Sequence, residues 1–330
     1  MRILITGATG AVGPSVVREA LEAGYRVRTL SLGLPQKDSW TKDVDMRLGD
    51  VTDLSAVQSA MEGVDGVIHL AALLHIVNPP DSLRGEYERV NVGGTVTVTK
   101  AASLANAGRM VFFSTIAVYG DTAGSIVTED SPLHPGTFYA RTKHEAEKVV
   151  LDAGNSHGRP MGTVLRMGAI YGARIKGNYE RLVHALATGR FIPIGDGGNR
   201  RTLIYEKDVA RAAVLALFHP SSAGNVYNVS DGCYHSMNEI IASICSALGR
   251  PEPRFRLPVG PARKIAGIIE DGAGVLGMKA PVARATIDKY TEDMAVSSER
   301  IRLQLGFIPR FDLASGWSET IEQMRQRKDL

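Results

Sequence analysis

The chain is predicted to be an α/β protein, a doubly wound parallel sheet joined to a smaller C-terminal domain. Three observations carry this expectation. Short continuous apolar runs alternate with amphipathic stretches through the first half, a glycine turn directly follows the first run, and the rhythm changes past residue 170. Apolar runs separated by helices signal strands buried on both faces, hence parallel pairing. The right-handed crossover rule then winds the helices onto both sides of the sheet.

In order, Arg2–Thr6 reads as a strand, followed by a glycine turn and a helical pattern through Ala23. Arg26–Leu30, Met46–Leu48 and Val67–Leu70 read as further strands, with a helix over Leu54–Met61. A helix is expected over Tyr87–Ala107, a strand over Met110–Ser114, a helix over Tyr139–Asp152 and a strand over Thr163–Arg166. Beyond these, Phe191–Asn199 is a Gly/Pro loop, Lys207–Phe218 is helical, and Pro251–Pro281 has no clear period. The expected division is a dinucleotide-binding domain over 1–169, with 199–224 returning to it. Residues 170–198 and 225–330 would form a smaller substrate-binding domain.

Composition excludes several classes. With 330 residues, 44% hydrophobic and 22% charged, the chain can bury a substantial core. Its longest apolar stretches, such as Ala212–Phe218, fall far short of the ~20 residues a membrane helix needs, so no membrane partner is expected. No signal peptide is read at the start. Cys233 and Cys245 form no CxxC, which fits a reducing cytoplasm and offers no metal framework. A net charge of +3, clustered at most at Arg200-Arg201, gives no nucleic-acid footprint.

Gly7-Ala8-Thr9-Gly10-Ala11-Val12-Gly13 sits between the first strand and a helix. Such glycines permit a tight turn and close approach of the backbone to a pyrophosphate, and the helix N-terminus presents free N–H groups to the anion. This is the context of a Rossmann-type phosphate-binding turn. Tyr139 and Lys143 form a YxxxK pair, four residues apart and so on one helix face. An ammonium there could lower a tyrosine pKa and fit it for proton transfer. YxxxK alone is an ordinary surface pair. Its weight comes from Thr115, which ends an apolar strand at the sheet edge where ligands bind in such folds.

The GxxGxxG spacing, the Phe113-Ser114-Thr115-Ile116-Ala117-Val118-Tyr119-Gly120 segment and YxxxK, in this order, resemble the extended short-chain dehydrogenases/reductases, the NAD-dependent epimerase/dehydratase type. The resemblance covers essentially the whole chain. It implies NAD as cofactor, with NADP left open because Ser31 stands where an acidic residue or an arginine would decide. Gly7, Thr9, Gly10, Ala11, Val12 and Gly13 would hold the pyrophosphate, and Ser31 the adenosine ribose. Asp50 and Val51 would meet the adenine, and Leu70, Ala71 and Ala72 would line the cofactor beside Tyr139 and Lys143. Asp50 could instead cap the next helix, and His69 could be a packed strand residue.

Thr115, Tyr139 and Lys143 are the catalytic residues that the resemblance implies, Thr115 also touching substrate. Dehydratases of this family carry Asp and Glu after that threonine. Ile116 and Ala117 can do neither's chemistry, so dehydration is not expected, and the same alanine argues against the decarboxylases. Gly195–Tyr205 is similar to a GDGxxxRxxIHVxD segment of nucleotide-sugar enzymes. It makes Arg201 the expected diphosphate ligand and Asp208 a helix cap, and the separate Lys176–Tyr179 stretch puts Asn178 where related sugar enzymes use an asparagine on the diphosphate. The expected activity is a UDP-hexose 4-epimerase with tightly bound cofactor, acting as a cytoplasmic homodimer through the Tyr87–Ala107 and Tyr139–Asp152 helices. A one-way 4-ketoreductase is the alternative, and a hydroxysteroid-type dehydrogenase a third.

Overall fold

A computed structural model describes residues 1–35, 40, 43–74, 80–275 and 283–330. Among them, a seven-stranded, all-parallel sheet runs in the order Val44–Leu48, Arg26–Ser31, Arg2–Thr6, Gly66–His69, Arg109–Thr115, Gly162–Met167, Val226–Val229. The order reverses between Arg2–Thr6 and Gly66–His69, and their C-terminal ends, at Gly7 and Leu70, open the crevice where dinucleotides bind in such sheets.

The central strands have the sequence that burial on both faces demands: Ile3, Leu4 and Ile5 are fully buried, as are Val67, Ile68, Met110 and Val111. One face is covered by the Gly13–Glu22 and Glu206–Phe218 helices through Val16, Val17, Val209 and Ala213. The other is covered by Leu54–Met61, Gly94–Leu104 and Phe138–Leu151 through Val57, Val98, Ala146 and Val150. Asp53, not Asp50, caps Leu54–Met61, accepting from the backbone N–H of Ser55 and Ala56.

The seventh strand, Val226–Val229, lies inside the 225–330 span expected for the smaller domain, so the return to the sheet extends past 224. Its sequence hid it. Only four residues long, it carries Asn228 in the core, where the side chain accepts from the Tyr119 hydroxyl and donates to Ser297 O. A polar residue there breaks the apolar run that marks the other strands.

The second lobe is built from short pieces. Gly162–Met167 leaves the sheet and continues as Ala169–Tyr171, paired with Leu203–Tyr205. Helices Asn178–Ala187, Met237–Leu248 and Leu313–Gln326 enclose a core of Tyr171, Leu182, Ile240, Ile244 and Ile321, with Trp317 stacked 4.4 Å from Tyr171. The stretch expected to lack a period contains a 17-residue helix, Val259–Val275. Its inward positions are small alanines, so no broad apolar stripe announces it. Pro281, the end of that stretch, lies outside the described residues.

Candidate active site

The glycine turn closes with Gly10 N–H donating to Gly7 O at 2.9 Å. Gly7 has φ +70°, and a Cβ on it would stand 2.7 Å from Ala71 N, so the turn and the end of the fourth strand touch through backbone alone. Thr6 Oγ1 fixes that approach by accepting from Ala71 N at 3.3 Å. The Gly13–Glu22 helix starts at Val12 with no side-chain cap; Pro14 has no N–H and Ser15 N–H donates to Val12 O at 3.1 Å, so an anion there would rely on the N–H groups of the turn itself. Thr9, Ala11 and Val12 are half-buried along the turn, and Leu70, Ala71 and Ala72 are half-buried opposite.

At the end of the second strand, Ser31 is 6% exposed, and its buried hydroxyl has no hydrogen-bond partner among the described residues. A buried orphan hydroxyl is costly unless a ligand completes it. A ribose hydroxyl at this strand end would do so, and the residues present fit NAD. Asp50 accepts from Thr52 N at 2.9 Å and pairs with Arg89 at 3.5 Å, while Val51 is buried against Gly94. His69 proves to be a packed residue. It is fully buried between Thr6 Oγ1 (2.6 Å) and Thr95 Oγ1 (3.1 Å), and burial holds its pKa down to about 3, so the ring is neutral.

Thr115 is the last residue of its strand, half-buried, with Oγ1 accepting from Ala117 N at 3.2 Å. Thr137 caps the Phe138–Leu151 helix by accepting from Ala140 N at 3.1 Å, which places Tyr139 in the first turn and Lys143 in the second. Lys143 is 2% exposed, its Nζ 4.1 Å from the centre of the Phe112 ring on the Thr115 strand.

One residue that sequence reasoning passed over ties this region together. Asn91 lies in a π-helical turn, Glu88–Gly93, inside the expected helix. It is 1% exposed, donates to Thr142 Oγ1 (3.1 Å) and Leu73 O (3.2 Å), and accepts from Leu73 N (2.7 Å). The YxxxK helix is thereby joined to the cofactor-lining segment after the fourth strand. An asparagine within a helical run, followed by two glycines, was the available signal.

The expectation that the lysine lowers the tyrosine pKa is not met in this arrangement. Burial pushes Tyr139 up to about 12, with the neighbouring Tyr87 adding to it, and burial pulls Lys143 down to about 7 against the pull of Glu147. At Lys143 desolvation outweighs the opposing Glu147 charge, and at Tyr139 both causes act upward, so Tyr139 holds its proton at neutral pH. Lys143 therefore weakens the fold. The unfolded lysine keeps its proton up to about 10.5, the folded one only to about 7. Between these values the unfolded chain binds the extra proton and stability climbs as pH rises. Below about 7 both states are charged and the folded state bears the full penalty. That penalty is nearly 5 kcal/mol at about 1.4 per pKa unit, and losing the Phe112 contact returns about 2. Lys143→Met is thus expected to gain about 3 kcal/mol near pH 6 and almost nothing near pH 10. Thermal melts across that range check it, and a gain that grew with pH would refute the assignment.

One turn beyond Lys143 on the same face, Glu147 is 2% exposed and paired with Arg166 at 2.8 Å. The Ser114 hydroxyl also donates to Glu147, and Arg166 Nη1 donates to the Tyr119 hydroxyl at 3.0 Å, which in turn donates to Asn228 Oδ1 at 2.7 Å. This chain of contacts fastens the helix to the Thr115, Gly162–Met167 and Val226–Val229 strands.

The second lobe treats the expected substrate residues differently. Asn178 is exposed in the first turn of its helix. The Arg201 side chain is 11% exposed, pairs with Glu292 at 3.2 Å and donates to the carbonyls of Lys289 and Tyr290. Its guanidinium closes the C-terminal end of the Arg284–Thr291 helix. Arg200 is held separately by Asp293 at 2.8 Å. Asp208 is not a cap. It is fully buried in the first turn of the Glu206–Phe218 helix, accepting from the backbone N–H of Arg310 and Phe311 at 3.0 and 2.9 Å and pairing with Arg211.

Residues 3–230 match the family model described as NAD dependent epimerase/dehydratase family. The N-acetyl-alpha-D-glucosaminyl-diphospho-ditrans,octacis-undecaprenol 4-epimerase of Escherichia coli O157:H7 is 27% identical, covering 97% of this chain and 94% of its own. The UDP-glucose 4-epimerase of Vibrio cholerae is 26% identical over 98% of this chain and 95% of its own. A solved structure of MoeE5 in complex with UDP-glucose and NAD is similar with a TM-score of 0.77 at 25% identity, covering 99% of this chain and 100% of that one. With a family match over most of its length, the chain belongs to the NAD-dependent epimerase/dehydratase family and is an NAD-dependent enzyme of it.

Proposed function

We propose that this enzyme is a nucleotide-sugar 4-epimerase acting on a UDP-hexose, with Thr115, Tyr139 and Lys143 as its catalytic residues. The observation that carries the reading is the composition of the edge around Thr115. Ile116 is buried and Ala117 has no functional group, so proton transfer falls to Tyr139 and no acid–base pair stands ready to expel water. The names of the Vibrio cholerae relative and of the MoeE5 complex support a UDP-linked sugar.

In this reading Tyr139 Oη takes the proton of the sugar O4 hydroxyl only as the phenolate, which the positive charge of Lys143 and of the bound cofactor would have to favour against the burial that holds the proton on it here, while the Thr115 hydroxyl holds O4 in place. Lys143, four residues on along the same helix face, would supply positive charge when protonated. Bound NAD supplies the acceptor, and afterwards the donor, of the C4 hydride. The 4-keto sugar presents its opposite face before Tyr139 returns the proton to O4. Arg201 and Asn178 are proposed for the diphosphate, Arg201 exchanging its helix-end carbonyls for phosphate oxygens. Two copies would pair through the Gly94–Leu104 and Phe138–Leu151 helices, where Val96 and Leu104 are exposed at 44% and 65%.

The test is direct. Purified protein given UDP-glucose or UDP-N-acetylglucosamine, with no nicotinamide added, is expected to form the C4 epimer, read by proton NMR. Stoichiometric consumption of added NADH or NADPH, with no epimer, would replace this reading by the 4-ketoreductase one.

A further inference from the structure

The Val259–Val275 helix has one side turned inward and one side that no described residue covers. Inward, Ala262 and Ala266 pack with Ile287 against Ile194 and Leu257. Outward stand Ile265, Ile268 and Ile269, exposed at 49%, 73% and 37%, with Val259 at 39%. The three isoleucines sit at i, i+3 and i+4 and form one stripe. Phe255, just before the helix, is 83% exposed and extends the patch. Single exposed apolar side chains are ordinary, but a contiguous stripe of them marks a contact surface.

The charge around the stripe selects what it contacts. Residues 250–290 hold eight Lys/Arg and four Asp/Glu, a net +4 in a chain whose total is +3. Lys289 is held by Glu292 just past the segment, which leaves the positive excess on Arg250, Arg254, Arg256 and Lys264. Lys264 borders the stripe and Arg254 precedes Phe255, both exposed, while Arg263 stands on the opposite side of the helix, paired with Asp288 at 2.8 Å. The acidic Glu270 and Asp271 are both engaged by Arg284.

We propose that this helix, with Phe255, lies flat on an anionic lipid surface, its isoleucines in the headgroup–acyl boundary and its basic border at the phosphates. An apolar stripe edged by cations is the combination that such a surface attracts. A second copy of the chain fits less well, because a two-fold contact through this patch would set the same cations against each other. No helix among the described residues is long and apolar enough to cross a membrane, and lying on one needs no crossing. The surface contact is independent of the reaction proposed above.

The experiment is flotation of the full-length protein with vesicles of phosphatidylglycerol and phosphatidylethanolamine, and with vesicles of phosphatidylcholine alone. The protein is expected to float with the first and not the second. Binding should fall roughly tenfold when salt rises from about 0.05 to about 0.5 M, as screening shortens the reach of the cations. The I265S/I268S double variant should lose roughly tenfold in binding, and Lys264→Glu a smaller amount. Unchanged thermal unfolding and unchanged retention of nicotinamide nucleotide would show both variants folded. Flotation that is absent with anionic vesicles, or equal for wild type and I265S/I268S, overturns the proposal. So does a dimer in solution that I265S/I268S dissociates while vesicles bind neither protein. Any of these results would leave C4 epimerisation as it was, and a failed epimerisation assay would leave flotation as it was.

Discussion

Tyr139→Phe is expected to lower kcat by roughly a thousandfold, about 4 kcal/mol of barrier, and to leave the fold and nucleotide retention unchanged. The substitution removes one oxygen and keeps the ring, and Tyr139 stands in the first turn of a helix whose anchor, the Glu147–Arg166 pair, lies two turns further on. With its pKa held near 12, the phenol is a firm proton holder at neutral pH, so the carbonyl-reducing half of the cycle loses its acid outright. Single-turnover hydride transfer, followed at the nicotinamide absorbance, separates this from weaker substrate binding. A variant keeping more than about a tenth of wild-type kcat would move the proton-transfer role to another residue.

Arg166→Met is expected to destabilise the protein by about 4 kcal/mol. Arg166 and Glu147 are 4% and 2% exposed, and Arg166 supplies three of the hydrogen bonds that offset the burial of the Glu147 carboxylate. Removing the guanidinium leaves that charge with Ser114 and with His144 at 3.8 Å. The double variant R166M/E147L should recover most of the loss, because two apolar side chains of similar volume need no compensation. Urea denaturation of the three proteins tests this. A loss under 1 kcal/mol for R166M would mean that the pair is already hydrated.

The fold was legible because its strands obey one rule. Ile3, Ile5, Ile68 and Val111 are buried on both faces and read as uninterrupted apolar runs, and Gly7 and Gly13 punctuate the first turn. Val226–Val229 obeyed a different rule, placing Asn228 in a buried polar network that only tertiary contacts reveal. The Val259–Val275 helix was illegible for the opposite reason, its buried positions being alanines and its apolar positions outside.

At the site, the positions of Thr115, Tyr139 and Lys143 follow from spacing along one strand and one helix. Partners distant in sequence did not show. Asn91 reaches Thr142 across 51 residues, and Asp208 reaches Arg310 across 102. Arg201 was read as free for an anion, because nothing in its neighbourhood of sequence announces Glu292 or the carbonyls of Lys289 and Tyr290.

The Asp208 contact has a bearing on how the molecule comes apart. The chain leaves the sheet after Met167, returns for the Glu206–Phe218 helix and Val226–Val229, leaves again, and comes back at Glu299–Leu305 beside that strand. Asp208 then holds the backbone at Arg310 and Phe311, where the final helix sets out for the second lobe. Neither lobe is a continuous length of chain, so neither can melt without withdrawing segments from the other. Heat or denaturant should therefore meet one cooperative unit, and tightening the nucleotide-binding half should raise the melting point of the whole.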